Sequence, residues 1–279
     1  MASTQHPTEH SPLTLPYEGR LTLALAQSAS VPGDVDRNLA THLRFIRLAS
    51  SLTVDLVVFP ELSSTGYELS LASDLAFRGA NDARLDALAE ACREARLTAV
   101  VGVPLQRADK LHIASVLLCS DGSRHVYTKQ HLDNEDPPFS PGFGGPFLDF
   151  SDSSSTSSAP TRVALAICAD TSVPAHPRAA ASQGASAYLA SSCISLRGYP
   201  LDTSRLASYA RKHAGMLVGM ANHAVPTGGL EARGGSAVWV GGDQVVRAEL
   251  GGEGQALVVL RRKEDGEDWD GEVVPLRSK

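Results

Sequence analysis

The regular alternation of short apolar runs with amphipathic segments is the feature that most restricts how this chain can fold. Apolar runs of strand length occur at 21–26, 54–59, 99–103, 162–167, 187–190, 216–220, 237–240 and 256–260. Segments with helical spacing lie between them, at 36–51, 82–96, 175–184 and 201–213. The runs 111–118 and 123–129 flank Ser120-Asp121-Gly122, which indicates a hairpin. This order predicts an α/β protein with a mixed sheet covered by helices.

The two ends of the chain differ in composition from its centre. Residues 1–18 are polar and contain proline, which predicts a mobile N-terminal arm. Residues 19–262 carry the alternating pattern and are expected to form one domain. Residues 263–279 form a charged tail that we expect to be exposed, and the serine-rich stretch 151–158 indicates a solvated loop.

Charge and composition exclude several classes of function. The chain has 31 acidic and 25 basic residues, a net charge of -6, and no basic cluster beyond 261–263, so we expect no nucleic-acid partner. No signal peptide or membrane span is indicated, which predicts a cytoplasmic protein without membrane contact. Four irregularly placed cysteines do not suggest a disulfide framework, and the nine histidines form no zinc motif. We therefore expect no metal and no cofactor.

Three apolar runs end in a side chain that can take part in catalysis: Glu61, Lys129 and Cys168. Strand ends in α/β sheets converge on a crevice, so the three are candidates for one site. A thiolate is a strong nucleophile for an amide carbonyl or a nitrile carbon. A buried carboxylate can take the thiol proton and return it to the leaving nitrogen, and an ammonium can stabilise the oxyanion. The trio predicts acyl transfer without histidine or metal.

Each residue has a structural interpretation as well. Cys168 could be a small core hydrophobe, Glu61 a helix or turn cap, and Lys129 a solvated charge at a strand end. Cys193 also follows an apolar segment, but neither a base nor a lysine flanks it. We therefore interpret Cys193 as a pocket or structural residue.

The motifs around these residues identify a family. The chain contains Phe59-Pro60-Glu61, Tyr127-Thr128-Lys129-Gln130-His131-Leu132, Ile167-Cys168-Ala169-Asp170, Phe139-Ser140-Pro141-Gly142, and Ala221-Asn222 followed by Gly235-Ser236-Ala237. In order and separation they resemble the carbon–nitrogen hydrolase superfamily, the nitrilase-like enzymes, in its amidase-type branch. The resemblance runs from about residue 20 to about residue 262.

The resemblance implies a four-layer α-β-β-α sandwich that forms a homodimer or a larger homo-oligomer. It also implies a Glu61–Lys129–Cys168 triad, with a second acidic residue shortly after the lysine. Glu135 is the best match for that residue, and Asp136 is its competitor. The Ala169 amide would complete the oxyanion hole. Three further positions are expected to line the substrate pocket: Tyr67, Cys193 and Asn222.

The segment after Cys168 departs from the family pattern. Many relatives have an aromatic residue there and then Arg-Phe-Pro-Glu, whereas this chain has Ala169-Asp170-Thr171-Ser172-Val173-Pro174. The expected function is hydrolysis of a small amide or carbamoyl compound through a cysteine acyl-enzyme. Nitrile hydrolysis, acyl transfer on the same triad, and a non-catalytic binding role stay open. Asp202, Arg205 and Tyr209 share one helical face, which could border the pocket or form a solvated pair.

Overall fold

The computed structural model describes residues 11–133, 136, 138–153, 160–213, 215–263 and 268–277. Within these ranges it contains fourteen β-strands and five α-helices. The strands are β1 Leu13–Tyr17, β2 Thr22–Gln27, β3 Leu56–Val58, β4 Thr98–Arg107, β5 Lys110–Leu118, β6 Arg124–Thr128, β7 Leu148–Asp152, β8 Thr161–Ile167, β9 Ala187–Ser191, β10 Leu217–Ala221, β11 Ala237–Val240, β12 Asp243–Arg247, β13 Ala256–Arg262 and β14 Trp269–Pro275. The helices are α1 Val35–Ser51, α2 Ala72–Leu75, α3 Asp86–Ala95, α4 Ala175–Ser182 and α5 Tyr199–Lys212.

The strands form two seven-stranded mixed sheets. One has the order β1-β7-β8-β9-β10-β11-β12, and the other has the order β14-β13-β2-β3-β4-β5-β6. Strands β8, β9 and β10 are parallel in the first sheet, and β2, β3 and β4 are parallel in the second. Because β4, β5 and β6 pair antiparallel in turn, β6 runs in the same direction as β3. The carboxyl ends of β3 and β6 therefore lie at the same edge of their sheet.

Alternation of side chains along the strands builds three apolar layers. In β2, Leu23 and Leu25 enter the central core between the two sheets, whereas Ala24 and Ala26 face α1 and α3. In β8 the same rule sends Val163, Leu165 and Ile167 into the central core and the two intervening alanines towards α4 and α5. Helices thus cover the outer face of each sheet, and the expected four-layer α-β-β-α sandwich is confirmed.

Local signals account for the position of α1. The Asp34 carboxylate accepts a hydrogen bond of 3.1 Å from the Arg37 amide and caps the first turn. Leu39, Phe45 and Ile46 recur at helical spacing on the face that packs on the sheet. The segment 82–96, expected to be one helix, is a short 3-10 turn at Ala83–Leu85 followed by α3.

The structure corrects the expectations for both ends of the chain. Residues 13–17, assigned to the mobile arm, form β1, which pairs in parallel with β7. Leu15 is buried in the central core, and Leu13 and Tyr17 pack against it, because alternate residues of this segment are apolar. In the charged tail, residues 269–275 form β14, an edge strand paired with β13 whose side chains are mostly exposed. Of the stretch 151–158, expected to be a solvated loop, residues 151–152 end β7, and residues 154–158 lie outside the described residues.

Candidate active site

Glu61 stands just beyond the end of β3, on a turn that passes very close to β4. A Cβ atom added to Gly102 of β4 would lie 2.3 Å from the Pro60 carbonyl oxygen and 2.6 Å from the Leu62 nitrogen. Only glycine leaves room for this backbone approach. On the other side, His223 Nε2 lies 2.7 Å from the Glu61 carbonyl oxygen, so this ring nitrogen carries the proton and donates it. The glutamate is therefore held through its backbone from two sides.

Lys129 follows β6 and lies between two carboxylates. Its Nζ donates hydrogen bonds of 2.7 Å to Glu61 Oε1 and 2.8 Å to Asp136 Oδ2. All three side chains are at most 1% exposed. The hydroxyl of Tyr67 donates a hydrogen bond to Asp136 Oδ1, and the Asp133 amide donates one of 2.7 Å to Oδ2. The carboxylates of Glu61 and Asp136 therefore hold Lys129 as a buried cation and compensate its charge.

Cys168 follows β8 at the first position of a 3-10 turn, Cys168–Ser172. Its backbone φ is +39°, a region that L-residues rarely adopt and that is typical of functional sites. Cys168 as a residue is partly exposed, and its Sγ lies 3.9 Å from the Cys193 carbonyl oxygen. The other three cysteines are buried. Cys168 is therefore the only one of the four cysteines that is not fully buried.

The carboxylate of Asp170 holds this turn against the other sheet. Oδ1 accepts the backbone N–H groups of Gln130 at 3.0 Å and His131 at 2.8 Å. Oδ2 accepts the Tyr127 hydroxyl at 2.8 Å and the Ile167 N–H at 3.0 Å. Asp170 is fully buried. One side chain thus fixes the Cys168 turn relative to the loop that carries Lys129.

Burial and neighbouring charges set the protonation states. Burial raises the pKa of Glu61 to about 7, with Lys129 opposing the shift and Asp136 adding to it. Burial also raises the pKa of the Cys168 thiol well above its usual value; the Glu61 charge adds to this and Lys129 counters it. For Lys129, burial favours the neutral amine, but Glu61, Cys168 and Asp136 outweigh it and raise the pKa. Near neutral pH the site therefore holds a charged lysine, a protonated thiol and a glutamate that can gain or lose a proton.

Glu61 has one oxygen left for that exchange. Oε1 accepts the hydrogen bond from Lys129, whereas Oε2 is buried and accepts no hydrogen bond from the described residues by distance and angle. The Cys168 thiol is close enough to interact with this carboxylate. A buried acceptor without a partner costs free energy, so a proton at this position would be stabilised.

The remaining sequence candidates have different surroundings. Tyr67 is buried and contacts Asp136, which places it beside Lys129. Cys193 turns its carbonyl towards Cys168. The side chain of Asn222 is used within the loops: it accepts the Ile194 N–H at 2.8 Å and donates to the Ile194 carbonyl at 3.0 Å and the Gly234 carbonyl at 2.9 Å. Asn222 therefore shapes the segment that carries Cys193.

Glu135 and Ala169 are the remaining two expected residues. Glu135 lies outside the described residues. Ala169 follows Cys168 within the 3-10 turn and is 7% exposed, so its amide is at the right place in the chain for the expected oxyanion contact.

Three residues of the site have only weak signals in the sequence: Asp136, Asp170 and His223. Asp136 was named only as the competitor of Glu135, yet it is the carboxylate paired with Lys129. Asp170 was noted only as part of a motif, and His223 was not singled out. The available signal for Asp170 is an acidic residue two positions after Cys168, at the end of an apolar stretch, because a buried carboxylate must be paired.

The described part of the chain has no helix long and apolar enough to cross a membrane. The same part contains no group of three or more histidine, cysteine, aspartate or glutamate residues arranged to hold a metal ion.

Similar architectures occur in solved amidases. The chain superposes on a mutant of the amidase from Nesterenkonia sp. AN1 that carries the acetamide moiety of fluoroacetamide on its active-site cysteine, with a TM-score of 0.75, 24% identity, and coverage of 88% of this chain and 92% of that one. An active-site mutant of the same amidase in complex with butyramide gives a TM-score of 0.74 at 24% identity, with 88% and 92% coverage. At this identity the likeness concerns the fold.

Sequence comparison adds a relative and a family. An (R)-stereoselective amidase from Pseudomonas sp. is 29% identical over 166 residues, which are 59% of this chain. The match spans 57% of that relative's length. The family profile described as carbon-nitrogen hydrolase matches residues 22–257, from β2 to the start of β13. That span includes the turns that carry Glu61, Lys129 and Cys168, and the chain therefore belongs to the carbon–nitrogen hydrolase family.

Proposed function

We propose that the protein hydrolyses the carbon–nitrogen bond of a small, non-peptide amide through a covalent acyl-enzyme on Cys168. The observation that carries the proposal is the buried Glu61–Lys129–Asp136 cluster beside a partly exposed cysteine. Burying such a cluster costs stability, and clusters of buried, pKa-perturbed groups are concentrated at functional sites. The amidases that share the fold and the family match support the choice of amide as substrate.

In the first half-reaction Glu61 takes the proton of the Cys168 thiol as sulfur attacks the carbonyl carbon. A carboxyl with a pKa of about 7 suits this exchange near neutral pH. Lys129 and the Ala169 amide stabilise the tetrahedral oxyanion. The C–N bond then breaks, Glu61 returns the proton to the leaving nitrogen, and ammonia departs from a thioester.

In the second half-reaction water attacks the thioester. Glu61 takes a proton from the water, a second tetrahedral oxyanion forms at the same position, and the C–S bond breaks. Glu61 then returns the proton to sulfur, and the products are a carboxylic acid and the free Cys168 thiol. Asp136 holds Lys129 in place in both halves.

The test measures ammonia release from a panel of short aliphatic amides, with the matched nitriles and a carbamoyl compound in parallel. We expect turnover of amides by the wild-type chain and none by Cys168→Ala. Fluoroacetamide should label Cys168, located by peptide mass. Turnover by Cys168→Ala, or no turnover of any compound by a folded wild-type chain, would refute the proposal.

The expected homo-oligomer stays a prediction from the family resemblance. Light scattering coupled to size-exclusion chromatography tests it directly, and a monomer at micromolar concentration would contradict it.

A further inference from the structure

Helix α5 packs across the turn that carries the nucleophile. The Tyr209 hydroxyl donates a 2.9 Å hydrogen bond to the Thr171 carbonyl, and Arg205 Nη1 donates one of 2.9 Å to Ser172 Oγ. Both acceptors belong to the turn Cys168–Ser172. The face of α5 that holds Arg205 and Tyr209 is therefore fixed beside Cys168. It is the same helical face that the spacing of Asp202, Arg205 and Tyr209 predicts.

Asp202 lies on this face one turn before Arg205. Its Oδ1 pairs with Arg205 Nη1 at 2.8 Å. Its Oδ2 accepts no hydrogen bond from the described residues, and a Cβ atom on Gly198 would lie 3.2 Å from it. Gly198 ends the segment that begins at Cys193, whose carbonyl faces the thiol. Asp202 thus lies against Gly198 directly and is linked to the Cys168 turn through Arg205.

The electrostatic setting of Asp202 favours an additional cation. Its side chain is 24% exposed, so solvent and substrate can still reach it. Burial raises the pKa of Asp202, Arg205 counters this only in part, and Asp133 adds to the rise. The charge of Asp202 reaches Cys168 and raises the pKa of its thiol. A carboxylate in this position is under-compensated and gains from a second positive group.

Lys129 and Arg205, two cations near Cys168, are poor partners for an anionic substrate. Lys129 is held between Glu61 and Asp136, and Arg205 is held by Asp202 and Ser172. A carboxylate-bearing amide would therefore meet cations that are already neutralised, with Asp202 adding repulsion.

We propose that Asp202 determines substrate specificity by favouring small amides that carry a protonated amine. The inference rests on the proposed amide hydrolysis and adds the charge of the substrate to it. The amine lies beside Asp202 Oδ2 while the carbonyl carbon is attacked by Cys168. A charge-assisted hydrogen bond of this kind corresponds to a preference of about tenfold or more in kcat/KM.

The experiment compares pairs of amides of equal shape that differ in one charge. Glycinamide is paired with propionamide, 3-aminopropanamide with butyramide, and 4-aminobutanamide with pentanamide, and succinamic acid supplies an anion. The measured quantity is the ratio of kcat/KM for the cationic and neutral members at pH 7. The three chain lengths cover different distances between the carbonyl and the amine.

For at least one pair we expect the wild-type protein to give a kcat/KM ratio of about 10 in favour of the cationic amide. Succinamic acid should be the poorest substrate. Asp202→Asn should reduce that ratio towards one. Arg205→Gln keeps the carboxylate and removes its competing partner, so it should raise the ratio. Opposite changes from two neighbouring substitutions are not produced by a general disturbance of α5.

The possible failures are distinguishable. If neutral amides are hydrolysed as well as their cationic partners, and neither Asp202→Asn nor Arg205→Gln changes the ratio, the specificity role of Asp202 is overturned. The proposed amide hydrolysis is then unaffected. No Cys168-dependent turnover of any amide would overturn the proposed function itself, and the specificity role with it.

Discussion

The Tyr127 hydroxyl donates a 2.8 Å hydrogen bond to Asp170 Oδ2, and this contact joins the two sheets beside Cys168. Tyr127 belongs to β6 of one sheet, and Asp170 follows β8 of the other. The same carboxylate anchors the backbone of the loop after Lys129. The separation of the nucleophile and the lysine is therefore set by one buried side chain.

Asp170→Asn should destabilise the protein and misplace the nucleophile. The amide can present only one accepting oxygen, so its NH₂ group meets either the Ile167 N–H or the backbone donors of the lysine loop. We expect a loss of about 3 kcal/mol in the free energy of unfolding and a fall in kcat on the order of 10- to 100-fold. Urea unfolding and steady-state kinetics measure both.

Tyr127→Phe is the matched control for that change. It removes the hydroxyl, with its hydrogen bond to Asp170 and its contacts with Gln130 and His176, but leaves the carboxylate and its backbone donors. We therefore expect a smaller loss, of about 1 kcal/mol. Equal stability losses in the two variants would contradict the anchoring role of Asp170.

The ionisation of Glu61 should control the acidic limb of the pH profile. Because Glu61 must be deprotonated to accept the thiol proton, kcat/KM should rise with pH through about 7, the raised pKa of this carboxyl. Asp136→Asn removes a charge that raises this pKa, so the limb should move to lower pH. The full pH dependence of kcat/KM with one amide checks both statements.

A suitable control is Asp149→Asn, which removes the same charge at a residue paired with Arg162. Its acidic limb should coincide with that of the wild type. A limb that stays in place in Asp136→Asn, or moves equally in both variants, would refute the electrostatic coupling between Asp136 and Glu61.

The four cysteines should differ sharply in reactivity. Limiting iodoacetamide on the folded protein should label Cys168 first, since the other three thiols are buried. Glu61→Gln should alter the rate and its pH dependence, because it removes the proton acceptor and also the charge that raises the thiol pKa. Lys129→Met should slow the labelling, because Lys129 lowers the thiol pKa. Peptide mass spectrometry across pH measures the rates, and preferential labelling of Cys92, Cys119 or Cys193 would be the contrary result.

Gly102→Ala should be poorly tolerated. The new methyl group would lie 2.3 Å from the Pro60 carbonyl oxygen, so either β4 or the Glu61 turn must move. We expect a loss of about 3 kcal/mol and a large fall in activity. Thermal and urea unfolding, with kinetics on the residual folded protein, provide the measurement.

Gly184→Ala serves as the comparison for Gly102→Ala. Gly184 has a φ of +82° and nothing within 4 Å of an added Cβ, so only backbone strain opposes the change. The expected cost is about 1 kcal/mol. A Gly102→Ala variant that is as stable and active as Gly184→Ala would show that the close approach is not required.

The sequence by itself determined the class of fold and the strand ends after which the candidate catalytic residues stand. Alternating apolar residues are a local property, because side chains on a strand point to opposite faces with a period of two. The ends of β3, β6 and β8 could therefore be located, and with them Glu61, Lys129 and Cys168. Residues 13–17 have the same periodicity, but they directly follow a polar segment and were therefore assigned to the mobile arm. Their strand, β1, is completed only by pairing with β7.

Only the tertiary structure decided how these residues are held and charged. Asp136 is seven residues from Lys129, whereas Glu61 is 68 residues away, and nothing local shows that both carboxylates share one ammonium. The roles of Asp170, and of Asp202 beside Cys168, arise from the packing of two sheets and α5. Protonation depends on burial and on distances between charges, which exist only once remote segments have come together.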